Sequence, residues 1–427
     1  MASGFLLALR NATALEEQER YFDMTSRDML DSQRAHSPVE AEVGATFDQW
    51  LGDRSVYWSA ERNAWIVTGY AEAAAILEDS GAFWRDIPQR EGAPEFWGRH
   101  LLILEGRDHR RMHSLHMRLT GEAFAENIRE RAREIARDRS CQLAKQGRAE
   151  LAADYADTVP FLIGCDFLGL DTADASLMET LLPQMRIRAR WKEALHAGSG
   201  ISLESQIAQD GQAALKTMAS VLLPIIRDRR EHPRDDLFSA LWQKGPSVFP
   251  DWNEHDVLST SWSSMDNETK PLLRGLLYTL CRDPELQARL RRDPSLTAGF
   301  VEEGLRFLTP FRTIRRVVKT DVEIGGQRMR PGDSIYLITP LANRDEERWA
   351  CPHAFDAERP QESAHLAFGY GPGYCVGRYV GRVEAVEAVN GILAETSMFS
   401  LDTNAATPKW AGEMYHSVSP IHAILQP

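Results

Sequence analysis

A mainly α fold with a minor β region is what this chain predicts, on three observations. Between residues 105 and 241 the pattern is almost wholly helical, broken at Asp157-Thr158-Val159-Pro160 and His232-Pro233-Arg234-Asp235. A second helical run extends from Asp251 to Arg282 before Asp283-Pro284. The β-rich runs are short and gathered towards the two ends. Hydrophobic residues at 43% and charged residues at 26% are those of a globular protein with material for a large core. The 427 residues allow about three domains at roughly 150 residues each, or one large fold.

In chain order, Phe5-Leu6-Leu7-Ala8-Leu9 is too short for a signal sequence and is followed by Glu16 and Glu17. No segment reaches the ~18 apolar residues of a membrane span, so neither membrane nor anchor is expected. Val56-Tyr57-Trp58 and Trp65-Ile66-Val67-Thr68 read as a hairpin turned at Glu61-Arg62-Asn63, and a helical run follows from Ala71 to Leu77. Residues 79–97 read as a loop carrying large rings at Phe83, Trp84, Phe96 and Trp97. After the helical middle, strands are predicted at Arg316-Val317-Val318, Val322-Glu323-Ile324, Ile335-Tyr336-Leu337-Ile338 and residues 421–425. The net charge of −13 argues against nucleic acid as the main partner. Cys141, Cys165, Cys281, Cys351 and Cys375 are scattered and odd in number, which indicates neither a disulfide framework nor a zinc site and suits a reducing cytoplasm.

The stretch Phe368-Gly369-Tyr370-Gly371-Pro372-Gly373-Tyr374-Cys375-Val376-Gly377 packs four glycines and a proline around one cysteine. Val380, Val383, Val386 and Val389 recur at helical spacing beyond it, so Cys375 lies at a helix entrance, where backbone N–H groups and the helix dipole favour a thiolate. The plain reading is a free cysteine in a glycine-rich turn. The stretch resembles the haem-binding signature of the cytochrome P-450 superfamily, Phe-Gly-x-Gly-x-(His or Arg)-x-Cys-x-Gly. Phe368, Gly369, Gly371, Cys375 and Gly377 match in register, and Gly373 stands where a basic residue is usual.

Glu303 and Arg306 lie one helical turn apart and match the family's Glu-x-x-Arg pair, with Arg359 as a candidate third member of a structural network. The 235–237, 341–345 and 352–355 stretches are similar to bacterial family members. The resemblance implies a single domain over residues 1–427, a triangular helical prism with a long helix over haem b (iron protoporphyrin IX), and Cys375 as the iron ligand. It also implies that His109, His113 and Arg316 contact the haem propionates, with Arg315 able to substitute for Arg316. His109 and His113 are four residues apart, and the sequence offers no third ligand for zinc. With Gly373 lacking a basic side chain, Arg107, Arg110 or Arg111 is expected to compensate.

The 251–282 run reads as one long helix with Asp251 as N-cap. Its centre, residues 259–270, is polar, which a buried helix tolerates where it lines a site. Family members carry an acid and an alcohol there to relay protons to oxygen. Asp266, Asn267, Glu268 and Thr269 are the candidate catalytic residues, with the register of the pair open. Pro271 cannot donate to the carbonyl of Asn267, so the helix is expected to open there. The plainer reading has these polar groups bonding to neighbouring helices.

For function, the resemblance implies a haem-thiolate oxidoreductase, a monooxygenase of a small organic, aromatic or amino-acid-derived metabolite in specialised metabolism. A ferredoxin and ferredoxin reductase are the expected electron donors. The alternatives are chemistry without the usual relay (oxidative coupling, nitrene-type transfer or peroxide use), a haem scaffold protein, and a haem-free cysteine nucleophile. Residues 88–97, 185–191 and 310–314 are expected to face substrate. Arg186, Arg188, Arg190 and Lys192 form a basic stretch suited to a carboxylate or a carrier-bound substrate, or to a solvated helix face.

Overall fold

Apolar residues at helical spacing bury most of this chain as helices, and the short β-branched and aromatic runs pair at its margins. The structure is a computed structural model that describes residues 38–85, 98–196, 202, 204–266, 268–360 and 364–427. The residues expected to face substrate at 88–97 lie outside it. Helix α1 (Pro38–Ala45) leads to the hairpin β1 (Val56–Ser59) and β2 (Ala64–Val67), then α2 (Tyr70–Glu78) and β3 (Phe83–Arg85). Six helices come next: α3 (Gly106–Leu119), α4 (Glu122–Gln146), α5 (Thr158–Leu168), α6 (Ala175–His196), α7 (Gln206–Glu231) and α8 (Leu237–Val248), with β4 (Arg148–Glu150) after α4.

Beyond them lie α9 (Glu254–Met265), α10 (Thr269–Arg282), α11 (Pro284–Arg292) and α12 (Thr297–Phe307). Strands β5 (Thr313–Val318), β6 (Val322–Ile324), β7 (Gln327–Met329) and β8 (Ser334–Ile338) precede the short α13 (Thr339–Ala342) and the long α14 (Arg378–Glu395). The chain closes with β9 (Met398–Leu401), β10 (Lys409–Ala411), β11 (Ser417–Ser419) and β12 (His422–Gln426). The main sheet runs β1-β2-β8-β5-β3, with β2 and β8 parallel and the other neighbours antiparallel. A second, antiparallel sheet runs β4-β12-β9. The main core joins α4, α5, α10, α12 and α14 through Leu272, Leu276, Phe300, Leu305, Val389 and Ile392 among others. A separate core under α6 to α9 holds Met185, Trp191, Phe238 and Trp262.

The structure corrects the reading of the 251–282 run and of the 79–97 loop. The run is two helices, because α9 ends at Met265 and α10 begins at Thr269. The N-cap is Asn253, whose side chain and that of Asp256 form a reciprocal capping box, so Asp251 lies outside the helix. Pro271 is the third residue of α10, where a missing N–H costs little, so it marks a helix start and not a mid-helix opening. Within the expected loop, residues 83–85 form an edge strand, Phe83 and Trp84 pairing with Val318 and Val317.

Candidate active site

The cysteine loop is held by its own backbone. Gly369 and Gly371 take φ of +75° and +64°, a region that costs other residues free energy. A Cβ on Gly371 would stand 2.9 Å from the Cα of Glu78, so α2 closes on the loop as well. The Cys375 N–H donates to Phe368 O at 2.9 Å, and the Tyr374 N–H to Gly371 O at 3.0 Å. Arg378 Nη1 donates to Cys375 O at 2.9 Å. Gly377 is the N-cap of α14, in keeping with the helix entrance expected there.

Cys375 is half-buried. Burial, then the Glu268 carboxylate, push its thiol up to about 11, against the pull of the Gly377 N–H, Arg378 and Arg382. The helix entrance alone therefore does not make a thiolate, as the sequence suggested, because desolvation outweighs it. A bound cation reverses that balance, which suits a metal ligand and leaves a poor free nucleophile at neutral pH.

Around the loop, His113 Nε2 lies 2.8 Å from Tyr374 O, so this ring engages the loop backbone. His109 is buried, and its Nε2 lies 2.7 Å from Arg85 Nη2. Burial, then Arg85, hold His109 down to about 3, so it is neutral. Arg316 shares a pocket with Arg85, Glu105, His109 and Gly373. Burial, then Arg85, lower Arg316 to about 10. Arg315, its neighbour in β5, lies over the Tyr336 ring instead. Arg107 and Arg110 are exposed, and Arg111 pairs with Asp108 at 3.6 Å and lies over Phe249. The side chain that approaches Gly373 is Arg85 of β3, which sequence reasoning passed over inside a presumed loop.

Glu303 and Arg306 are buried, bonded at 2.7 and 2.8 Å, with Arg359 Nε on Glu303 at 3.1 Å. Arg306 also donates to the carbonyls of Asn343, Pro352 and Ala354. Seven residues on from Arg306, β5 begins, and Asn343 ties this network to the loop by accepting from the Leu366 N–H at 2.7 Å.

Opposite the loop, the four candidate catalytic residues separate. Asp266 is buried against Arg188 Nη1 and Lys192 Nζ, each at 2.8 Å, and Lys270 Nζ at 3.4 Å. Its own burial would raise it, but these three cations hold its carboxyl far below the usual range. Glu268 accepts from the Tyr415 hydroxyl at 2.9 Å and is near enough to the thiol to shift it. Thr269 turns the other way and donates to Glu384 of α14 at 2.7 Å. Asn267 lies outside the described residues. Tyr415, between β10 and β11, was not singled out from sequence. Burial, then Glu268, raise its phenol well above 10, so it stays a donor. Of the basic stretch in α6, Arg188 and Lys192 are buried, Arg186 donates to Ala153 O, and Arg190 is exposed.

A desolvated thiol on a glycine-held loop, basic groups on an adjoining sheet edge and an acid across from the thiol make a site suited to a cofactor with a metal and carboxylates. The donor set suits haem, with one soft sulfur donor for iron and guanidiniums for carboxylates. The chain belongs to the cytochrome P450 family, whose model matches residues 45–405, and it is a haem-thiolate oxidoreductase.

Among relatives, it is 28% identical to mycinamicin IV hydroxylase/epoxidase of Micromonospora griseorubida over 82% of this chain and 86% of that one. It is 25% identical to 6-deoxyerythronolide B hydroxylase of Saccharopolyspora erythraea over 82% of this chain and 87% of that one. The fold matches P450BioI in complex with a fatty-acid-ligated acyl carrier protein (TM-score 0.77, 22% identity, 91% of this chain and 100% of that one). It matches HmtT of himastatin biosynthesis equally well (TM-score 0.77, 22% identity, 88% and 95%). Among the described residues, no helix is long and apolar enough to cross a membrane.

Proposed function

We propose that this oxidoreductase is a monooxygenase acting on a small organic metabolite of specialised metabolism, with a ferredoxin and its reductase as electron donors. The observation that carries the reading is Glu268, hydrogen-bonded by Tyr415 and within electrostatic reach of Cys375. Relatives named as hydroxylases support it. Haem b, when bound, supplies dioxygen activation: with two electrons and two protons, one oxygen atom enters the substrate and the other leaves as water.

In this reading Cys375 would ligate the haem iron, and His109 and Arg316 would hold haem carboxylates. His113 steadies the cysteine loop through Tyr374 O. Asp266 is pinned in its ionised form by three cations and fastens the roof helix α6 to the helix break. The Thr269 hydroxyl is committed to Glu384. Glu268 is left to take up and hand on protons, with the neutral Tyr415 phenol as its neighbouring donor.

Carbon-monoxide difference spectra of the reduced protein are expected to show the thiolate-type Soret band, and Cys375→Ala to lose it; a variant that kept the band would refute the ligand. Under ferredoxin-driven turnover, Glu268→Gln is expected to lower product formation by about 10²-fold and divert electrons from product. Thr269→Val is expected to keep the product-to-electron ratio. Equal ratios in both variants would remove Glu268 from the relay.

A second reading keeps the haem and drops the relay, as in oxidative coupling, nitrene-type transfer or peroxide use. The outright break between α9 and α10 favours it. Turnover with peroxide that exceeds ferredoxin-driven turnover would select this reading, and a complete lack of turnover with bound haem would leave a scaffold role.

A further inference from the structure

Strand β3 pairs with β5 so that Arg85 stands directly opposite Arg316. Like charges directly across a strand pair oppose its formation, yet both guanidiniums line one pocket, bounded by His109, Glu105 and Gly373. Arg85 is fixed there. Its Nη1 donates to the carbonyls of Leu101 and Leu104 at 3.3 and 3.2 Å, and its Nη2 lies 2.7 Å from His109 Nε2.

The same Nη2 lies 3.2 Å from where a Cβ on Gly373 would stand. That glycine has no left-handed φ, so its backbone does not demand glycine. What a side chain at 373 would meet is the Arg85 guanidinium. Gly373 sits two residues before the thiol, so whatever anion this pocket takes lies beside the group that Cys375 ligates.

We propose that Arg85 is a haem-carboxylate anchor supplied by β3 in place of a basic side chain at Gly373, acting with Arg316 and His109. This inference rests on the haem-thiolate reading. A carboxylate accepts two parallel N–H bonds from a guanidinium. Between Arg85 and Arg316 it turns a repelling cross-strand pair into a favourable one, with Glu105 a partial counterweight on the rim.

The test is haem loss from the purified holoprotein to excess apomyoglobin, followed in the Soret band, which reads binding and not turnover. Arg85→Ser is expected to lose haem about tenfold faster, the loss of one charge-assisted contact. The pair Arg85→Ser with Gly373→His is expected to return the rate to within about twofold of the unsubstituted protein, because the new side chain fills the vacated space. Gly373→His alone, with Arg85 in the way, is expected to slow nothing.

An unchanged rate in Arg85→Ser, or a double variant no better than the single one, overturns the proposal. If Arg85→Ser does not load haem, Arg85→Lys replaces it, keeping the charge and losing the fork; faster haem loss supports the anchor and an unchanged rate overturns it. A missing Soret band in the unsubstituted protein would instead overturn the haem-thiolate reading beneath it.

Discussion

The Cys375 loop and the break between α9 and α10 meet across one site, yet they are built from opposite materials. The loop is backbone bonded to backbone: two positive-φ glycines, a 2.9 Å bond from Cys375 to Phe368, and α2 pressed against Gly371. The break is held by charge brought in from elsewhere, with Arg188 and Lys192 of α6 closing on Asp266. Backbone constraints are satisfied within the loop's own short length of chain. Buried ion pairs need the whole fold to form before either partner is worth keeping. The Cys375 side is therefore held largely by its own backbone, while the break depends on the helix α6 that supplies its cations.

The largest expected effect removes the charge at the break. Asp266→Ala leaves Arg188, Lys192 and Lys270 crowded in a buried site without that carboxylate. Breaking a buried pair in this way costs about 3–5 kcal/mol, read as a lower urea midpoint with unchanged m. A loss below about 1 kcal/mol would mean that the break does not depend on charge, and the contrast between the two regions would fall.

Acid is the next probe, because His100 beside the break and Glu302 beside the loop titrate in different windows. His100, bonded to Ser263 of α9, is held down to about 3 by burial, then Arg188, His116 and Lys192. Its folded value lies below its unfolded 6.5, so its contribution is complete above pH 6.5 and is lost as pH falls towards 3. Glu302, between Arg382 and His365 on the loop side, is raised by burial but held down to about 2 by those partners. That contribution survives until pH falls below 4.5, the unfolded value. Urea midpoints between about pH 6 and 5 are thus expected to report the buried histidines His100, His109, His116 and His416 together, and not Glu302. His100→Gln is expected to flatten that slope by about 1.4 kcal/mol per pH unit, and Glu302→Gln to leave it alone. A parallel slope in His100→Gln would show that His100 is not buried neutral.

How much of this was legible in the sequence divides along the same line. Phe368, Gly369, Gly371 and Gly377 stand where a tight loop needs them, and Glu303 and Arg306 meet through simple helical spacing, so both motifs are local and readable. The β hairpin and the strands β5, β6 and β8 are equally local. The two-helix break was missed because its cause is tertiary: Pro271 suggested a kink inside one helix, whereas Asp266 is captured by Arg188 and Lys192 from a helix far earlier in the chain. Arg85 was missed because a three-residue edge strand exists only when β5 pairs with it. Tyr415 carried no signal at all, since its role depends on a hydrogen bond to a residue 147 positions away.

The smallest expected effect tests the loop by itself. Gly371→Ala forces a side chain into φ +64° and sets a Cβ 2.9 Å from the Glu78 Cα, a backbone atom that cannot swing aside. The positive φ costs about 1–2 kcal/mol, and relief of the contact requires the loop or α2 to move by a few tenths of an ångström. Because Cys375 hangs from this loop through Phe368, that movement is expected to shift the Soret band of the carbon-monoxide complex while ferredoxin-driven coupling at Glu268 stays unchanged. Gly369→Ala, with φ +75° but only an ordinary contact from its Cβ to Gly373 O at 3.7 Å, is expected to cost the backbone term alone and leave the band in place. If both variants shift the band equally, strain within the loop governs the thiolate; if neither does, α2 is not what seats the ligand, and the loop's rigidity resides in its own hydrogen bonds.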